Sequence, residues 1–384
     1  MQQIFNIMNK VKIAYFVKNM NVPSQTFVRS LIKSLSNECE LKVFEYQNGT
    51  AVRRAYYGAI RKINKIKSVL FDGSDLLEAN FLVSYAELKK SLTRQVREID
   101  NFSPDVFFAD FGRMGLVLAE EAIRRGKPII IHFHGNDASE QLKCNTYVGR
   151  LRLILSNSLV YIIVPSNHLG RMLQIACGSA LRYSKIPYGP EIEQFERSSV
   201  THDGSFRLLS VGRLVPKKNP LALIEAFRVA AEQEGNLILD IVGDGPLMSD
   251  VEERIRQLQL SDKITLHGRK SHDYCLKLMD RADLYVQHSV TDFNGDQEGL
   301  PNSILEALLL KTPVVSTLHS GIPEAVEDGR NGYLVPEHNF IEMGEKIVKA
   351  VNRNKDSWLF DRVSEYTPDE RLKEVMKLIK KVNI

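Results

Sequence analysis

Few cysteines, no long unbroken apolar run and no acidic pair placed to grip a divalent cation: each scarcity excludes something. The four cysteines (Cys39, Cys144, Cys177, Cys275) are scattered through 384 residues, without the short spacings of a zinc site or a disulfide framework. They read as thiols of a reducing compartment, which implies a cytoplasmic protein. The best apolar run, Leu151 to Pro165, is broken by Arg152, Ser156, Asn157 and Ser158, so no membrane span is expected. Asn6, Asn9, Lys10 and Lys12 interrupt the N-terminal stretch, and no signal peptide is expected there. No Asp-x-Asp pair stands at the end of a strand-like run, so no metal site is expected.

What is present is ordinary in bulk and uneven in distribution. Apolar content of 43% and charged content of 26% suit a globular protein, and the length favours two domains over one core. Residues 1–188 carry 26 Lys+Arg against 15 Asp+Glu, a net of +11, whereas residues 189–384 carry 25 against 32, a net of −7. The front half is therefore expected to meet something anionic. Residues 51–71 hold Arg53, Arg54, Arg61, Lys62, Lys65 and Lys67 with no acid, interleaved with Tyr56, Tyr57, Ile60, Ile63 and Ile66. Such an amphipathic basic segment is either a solvated helix face or a contact to an anionic membrane surface. No nucleic-acid module accompanies it, so no nucleic-acid partner is expected.

Short β-rich runs alternate with helical patterns twice over. Strands are expected at Val11–Val17, Leu41–Tyr46, Asp105–Ala109, Pro128–Phe133 and Leu159–Val164, and again at Arg207–Val211, Leu237–Val242, Lys263–His267, Leu284–Gln287 and Pro313–Thr317. Two such blocks imply an α/β protein of two doubly wound, Rossmann-like domains, with ligands at strand carboxyl ends in a cleft between them. The boundaries expected are 1–188, 189–360 and a basic C-terminal helix within 361–384 that returns to the first domain.

The chemistry concentrates in loops at strand ends. Arg213 and Lys218 follow one strand in Gly212-Arg-Leu-Val-Pro-Lys-Lys-Asn-Pro220; they are either solvated cations or the countercharge of a diphosphate. Glu298-Gly-Leu-Pro-Asn-Ser-Ile-Leu-Glu306 places a carboxylate in a loop, a proline where a first helical turn tolerates it, and a second carboxylate on the helix. Asn302 or Ser303 can cap that helix. A helix start flanked by two acceptors suits a ligand that is part anion, part polyol. His134 and Asp137 lie in His132-Phe-His-Gly-Asn-Asp137, directly after a strand, and Asp137 is equally a cap or a catalytic group.

These motifs, with Val242-Gly-Asp-Gly-Pro246 and Gly321-Ile-Pro-Glu324 before Asp328-Gly-Arg-Asn-Gly-Tyr-Leu-Val335, resemble the retaining glycosyltransferases of family 4, on the GT-B fold. They cover most of the second half. His132–Asp137 and Pro23-Ser-Gln-Thr-Phe27 resemble the exopolysaccharide, colanic-acid and O-antigen type members. The resemblance implies a metal-independent hexosyltransferase with a nucleoside-diphosphate sugar as donor, no further cofactor, and a glycan or lipid-linked oligosaccharide acceptor, peripheral at the inner membrane face. It implies Arg213 and Lys218 on the pyrophosphate, backbone amides of Gly299, Leu300 and Asn302 on the phosphates, and Glu306 on the ribose. It places Gly243 near the nucleotide and Arg269 and Lys270 at the base. Glu298 and His134 fall beside the transferred sugar. Paired glycines common after the family's first strand are replaced by Asn19–Thr26, which leaves Ser24, Gln25 and Thr26, with Asp137, on the acceptor side. The family's Ala-His-Phe-Gly reads Ala109-Asp-Phe-Gly112 here, which puts acceptor contacts around Asp110 in question. The rivals are a nucleoside-diphosphate-sugar epimerase of the same fold and a non-catalytic nucleotide-sugar-binding protein.

Overall fold

The computed structural model describes residues 10–20, 26–46, 73–192 and 204–383. Ser24, Gln25 and the basic segment 51–71 lie outside the described residues. The described residues form two compact units. One takes those up to Val164, Leu169–Ile186 and those from Leu372 on; the other takes Pro165–His168 and Pro187–Arg371.

The first unit is built on a six-stranded sheet in the order β2-β1-β3-β4-β5-β6, with every pairing parallel. Its strands are β1 (Lys12–Val17), β2 (Glu40–Glu45), β3 (Val106–Asp110), β4 (Ile129–His132), β5 (Val160–Val164) and β6 (Ser184–Lys185). Helices α1 (Thr26–Glu38), α2 (Gly73–Phe102), α3 (Gly112–Arg124), α4 (Asn145–Leu155) and α5 (Asn167–Cys177) connect them. β3 and β4 are buried at every residue, as expected of strands covered on both faces. β2 and β3 flank β1 on opposite sides, so the chain reverses its direction of travel there and the loops leaving β1 and β3 diverge.

The second unit repeats the plan: β12-β11-β10-β7-β8-β9, again all parallel. Its strands are β7 (Phe206–Val211), β8 (Leu237–Val242), β9 (Ile264–Gly268), β10 (Leu284–Gln287), β11 (Val314–Thr317) and β12 (Gly332–Val335). Its helices are α6 (Pro220–Gln233), α7 (Met248–Gln257), α8 (His272–Arg281), α9 (Asn302–Leu309), α10 (Phe340–Val351) and the start of α11 (Pro368–Val382). Ile224 and Phe227 of α6 pack with Met343 and Ile347 of α10 and with Val286 and Leu239 of the sheet. Each such fully buried side chain contributes about 1.5–3 kcal/mol. α10 is fixed at its start by Asn339, whose side chain accepts the Glu342 N–H at 3.1 Å and donates to the Glu342 carboxylate at 2.8 Å. The order reverses between β7 and β10, which brings the loops after those two strands together.

Two strands are absent from the sequence-based expectation. β6 is two residues long, below any periodicity. β12 follows the turn-rich Asp328–Asn331, whose composition masks the apolar Gly-Tyr-Leu-Val that succeeds it. No described helix is long and apolar enough to cross a membrane.

Candidate functional site

In the second unit the loop after β7 (residues 212–219) and the loop after β10 (residues 288–301) meet at the point where the strand order reverses. They are stitched together by Lys217. Its carbonyl accepts the Val290 N–H at 2.9 Å, and its ammonium pairs with Asp296 at 3.0 Å and donates to the Gln297 carbonyl at 3.3 Å. Asn219 then turns the chain through a left-handed conformation (φ 40°) and Pro220 opens α6, a turn chemistry both residue types suit.

Lys218 is thereby aimed at Glu298. The two charges lie 3.3 Å apart, with side chains 16% and 13% exposed. Burial raises the Glu298 pKa, but the charges of Lys218 and then Lys217 outweigh it and hold the carboxyl down at about 2. Lys218 is lowered: burial disfavours its charge, and Lys217 and Arg213 add repulsion that Glu298 only partly offsets. A cation whose charge is under strain from its neighbours gains when a diphosphate arrives. Arg213 is exposed and lines, with Lys218, a small cavity over the end of β7.

Gly243 ends β8 against this loop. At φ 151° a Cβ on it would stand 1.8 Å from the Gly212 carbonyl oxygen, so only glycine lets the two loops approach. Its place beside Gly212 keeps it at the base of the Arg213–Lys218 loop. Arg269 and Lys270 are exposed just beyond β9, with Lys270 5.4 Å over the Tyr274 ring.

α9 begins at Asn302 with Pro301 as its N-cap, and no side chain caps it. The expectation that Asn302 or Ser303 caps the helix is therefore corrected: Ser303 is the second helical residue and its hydroxyl donates to Gln287 at 3.2 Å. Leu300 is buried at 2% exposure, and the Gly299 carbonyl accepts from Ser166 at 3.3 Å. Glu306 is 4% exposed, and His272 Nε2 lies 2.9 Å from its Oε1, leaving the second oxygen as the acceptor a diol would meet.

The first unit carries a separate cluster. Asp110 of β3 stands in register with His132 of β4, and its Oδ1 lies 3.2 Å from His132 Nδ1 and 3.2 Å from His134 Nε2. Tyr15 donates to Oδ2 at 2.5 Å. Burial would raise the Asp110 pKa, yet the hydrogen bonds and charges of the two histidines bring it below the usual carboxylate range. The His134 ring packs on Phe27 and Phe111, with ring centres 4.9 and 4.4 Å away. Phe111 itself sits at φ 72°, a conformation bulky residues rarely hold and one that costs of order 1–3 kcal/mol.

Asp137 is 4% exposed and accepts the Gly112 N–H at 2.7 Å and the His134 N–H at 2.8 Å. It does not cap the 3-10 turn of residues 136–138, whose cap position is Gly135; it satisfies instead the N–H of the first residue of α3. It ties the β3 and β4 loops and sets the backbone of His134. A cavity of about 300 Å³ opens here, lined by Lys18, Glu87, Asp110, Phe111, Arg113 and Asp137 among others. Thr26 is the first residue of α1.

The donor atoms of Asp110, His132 and His134 lie within 4.8 Å of one another and could hold a metal ion. The ligand types suit a divalent transition metal, although Tyr15 and His134 already hydrogen-bond the carboxylate. Sequence reasoning missed this group. Asp110 lies 22 and 24 residues from the two histidines in the chain, and only the β3–β4 register joins them. It likewise missed Lys217, His272, His319 and Glu337; a His-x-His alternation on one strand face was the one readable signal.

Residues 191–368 match the family model Glycosyl transferases group 1. The chain is 34% identical over 261 residues to the putative colanic acid biosynthesis glycosyltransferase WcaL of Salmonella typhimurium, covering 67% of this chain and 64% of that protein. It is 32% identical over 243 residues to the amylovoran biosynthesis glycosyltransferase AmsK of Erwinia amylovora, covering 62% and 58%. The chain thus spans about three fifths of the length of the curated relatives it matches. Among solved structures, sucrose-phosphate synthase of Thermosynechococcus elongatus superposes with a TM-score of 0.72 at 17% identity, over 97% of this chain and 99% of that one. HepE of Anabaena, in complex with UDP and glucose, superposes with a TM-score of 0.67 at 16% identity, over 97% and 100%. At these identities the likeness establishes the fold: two Rossmann-like units of the GT-B type.

Proposed function

We propose that this chain is a glycosyltransferase of exopolysaccharide assembly, moving a sugar from a nucleoside diphosphate to a glycan acceptor. The observation that carries the reading is the half-buried Lys218–Glu298 pair, 3.3 Å apart, at the strand-order reversal where an α/β sheet binds its ligand. Lys218 and Arg213 take the diphosphate, joined by the backbone amides of Gly299, Leu300 and Asn302 at the start of α9. Glu306 accepts from the ribose diol and Glu298 from the transferred sugar's hydroxyls. Gly243 shapes the loop, and Arg269 and Lys270 stand on the side of the base.

In the reaction the bond from the sugar's anomeric carbon to the diphosphate oxygen breaks, and a bond to the acceptor oxygen forms. The departing phosphate oxygen takes the acceptor's proton. Attack on the face the diphosphate leaves retains the configuration, and the cations stabilise the charge that accumulates on the leaving group. The diphosphate needs no metal in this scheme. His134, set by Asp137 and Asp110, is the catalytic candidate beside the transferred sugar, while Ser24, Gln25, Thr26 and Asp137 are assigned to the acceptor. The acceptor is proposed to be lipid-linked at the cytoplasmic membrane face, which the net +11 of residues 1–188 would attract.

The test is a thermal-shift panel of nucleoside-diphosphate sugars, followed by transfer assays on the donor that stabilises the fold. The panel begins with UDP-sugars, because the Anabaena HepE structure holds UDP. Lys218→Ala and Glu298→Ala should each abolish transfer. Sugar interconversion without any acceptor would instead make the protein an epimerase, and donor binding with neither reaction would make it a binding protein.

A further inference from the structure

Glu298 is held by groups that none of the roles above use. The backbone of Glu298 is gripped at both its N–H and its carbonyl by two consecutive residues after β11. Its N–H donates to His319 Nε2 at 3.1 Å, and its carbonyl accepts the Ser320 hydroxyl. The same hydroxyl lies 3.4 Å from the Gly299 carbonyl. His319 is 1% exposed, and its Nδ1 lies 2.6 Å from Glu337 Oε1. Glu337 is anchored in turn, its other oxygen accepting the Thr291 N–H at 2.8 Å.

The chemistry of the donors fixes how this chain runs. A backbone N–H can only donate, so Nε2 of His319 carries no proton and Nδ1 does. Nδ1–H then donates to Glu337, which holds the ring in one tautomer and one orientation. Ser320 reaches the Glu298 carbonyl only because its backbone lies at φ 48°, a conformation that L residues other than Asn, Asp and Gly seldom take. A serine here carries backbone strain in exchange for placing a hydroxyl, which a glycine would do without.

We infer that His319, in its Nδ1–H tautomer, and Ser320 form a two-point clamp on the Glu298 backbone that positions the Glu298 carboxylate for the sugar. Glu337 orients the clamp. These are positioning residues, since each acts through Glu298. The inference rests on the proposed role of Glu298, and it assigns the Glu298 amide to the clamp and not to a phosphate. Holding the loop in this way matters because a displacement of about 1 Å at a reacting group costs on the order of a hundredfold in rate.

Two measurements test it on the full chain. In histidine labelled with nitrogen-15, the His319 signal, assigned by its loss in His319→Gln, should show a protonated Nδ1 and an unprotonated Nε2; the opposite tautomer overturns the clamp. Ser320→Gly separates positioning from folding, because it removes the hydroxyl while relieving the strained φ. Its melting temperature should stay within about 2 °C of the parent, since loss of one hydrogen bond and relief of one strained residue are of similar size. Its kcat should fall about tenfold or more with the donor KM changed less than threefold. Full kcat in Ser320→Gly, alongside an inactive Glu298→Gln, overturns the clamp and leaves the transferase reading intact. Full activity in Glu298→Gln itself overturns the role of Glu298, and the clamp's function with it.

Discussion

Removing one partner of the Lys218–Glu298 pair is predicted to destabilise the second unit far more than removing both. At 3.3 Å, two unit charges attract by about 5 kcal/mol gross at an effective dielectric constant near 20. The desolvation of both groups is set against this, as the lowered pKa of Lys218 indicates. The fall of the Glu298 pKa from 4.5 to about 2 corresponds to roughly 3 kcal/mol of stability at neutral pH. That contribution is present above pH 4.5 and lost as pH falls toward 2. Lys218→Met leaves a largely desolvated carboxylate with Lys217 as its remaining cationic neighbour, and should cost about 3 kcal/mol. In a unit of this size that is a fall of about 6–12 °C in melting temperature. Lys218→Met combined with Glu298→Gln should recover most of the loss, giving a coupling of about 2–3 kcal/mol in the double-mutant cycle. Differential scanning calorimetry at pH 7.5 without ligand is the assay. Additive effects, with coupling under about 0.5 kcal/mol, would refute the claim that these two charges compensate one another. The same Lys218→Met variant should lose donor-induced stabilisation, because it removes a cation proposed to hold the diphosphate.

Acid should weaken the protein before Glu298 titrates. Burial pushes His288 down from 6.5 to about 4, so between these pH values the unfolded chain binds a proton the folded chain refuses. Stability should fall through that window by roughly 3 kcal/mol in total, and His288→Asn should flatten the slope; an unchanged slope in urea titrations at pH 6.5, 5.5 and 4.5 would assign it elsewhere. Chelation is the second check. Transfer in excess EDTA should proceed at the rate seen without it, whereas a loss restored by a divalent metal would turn attention to Asp110, His132 and His134 and end the metal-independent reading.

Local pattern carried the strands, and turn chemistry carried the loops at their ends, because both depend on neighbours in the chain. The parallel runs around Val211 and Gln287 show as apolar stretches closed by Gly, Pro and charge, and Arg213, Lys218, Glu298 and Glu306 were therefore readable as a group. What holds them was not. Lys217 carried no reading from the sequence; the fold turns it onto Asp296 and its neighbour Lys218 onto Glu298. Gly243 was singled out only by resemblance, whereas the constraint on it is the Gly212 carbonyl oxygen of a neighbouring strand's loop. Asp110 looked like a departure from a family pattern, and register with β4 made it the partner of two histidines. Asp137 read equally as a cap or a catalytic group, and the fold makes it the acceptor of two backbone amides, one at the start of α3 and one in the loop after β4. In each case the missing term is a contact across strands, which no spacing along the chain encodes. The consequence for Glu298 is specific. Its own motif makes it a carboxylate at a helix start, but its aim is set by His319 and Ser320, 21 and 22 residues later, and by Glu337 beyond them. A variant at those positions would leave every readable motif intact and still displace the carboxylate.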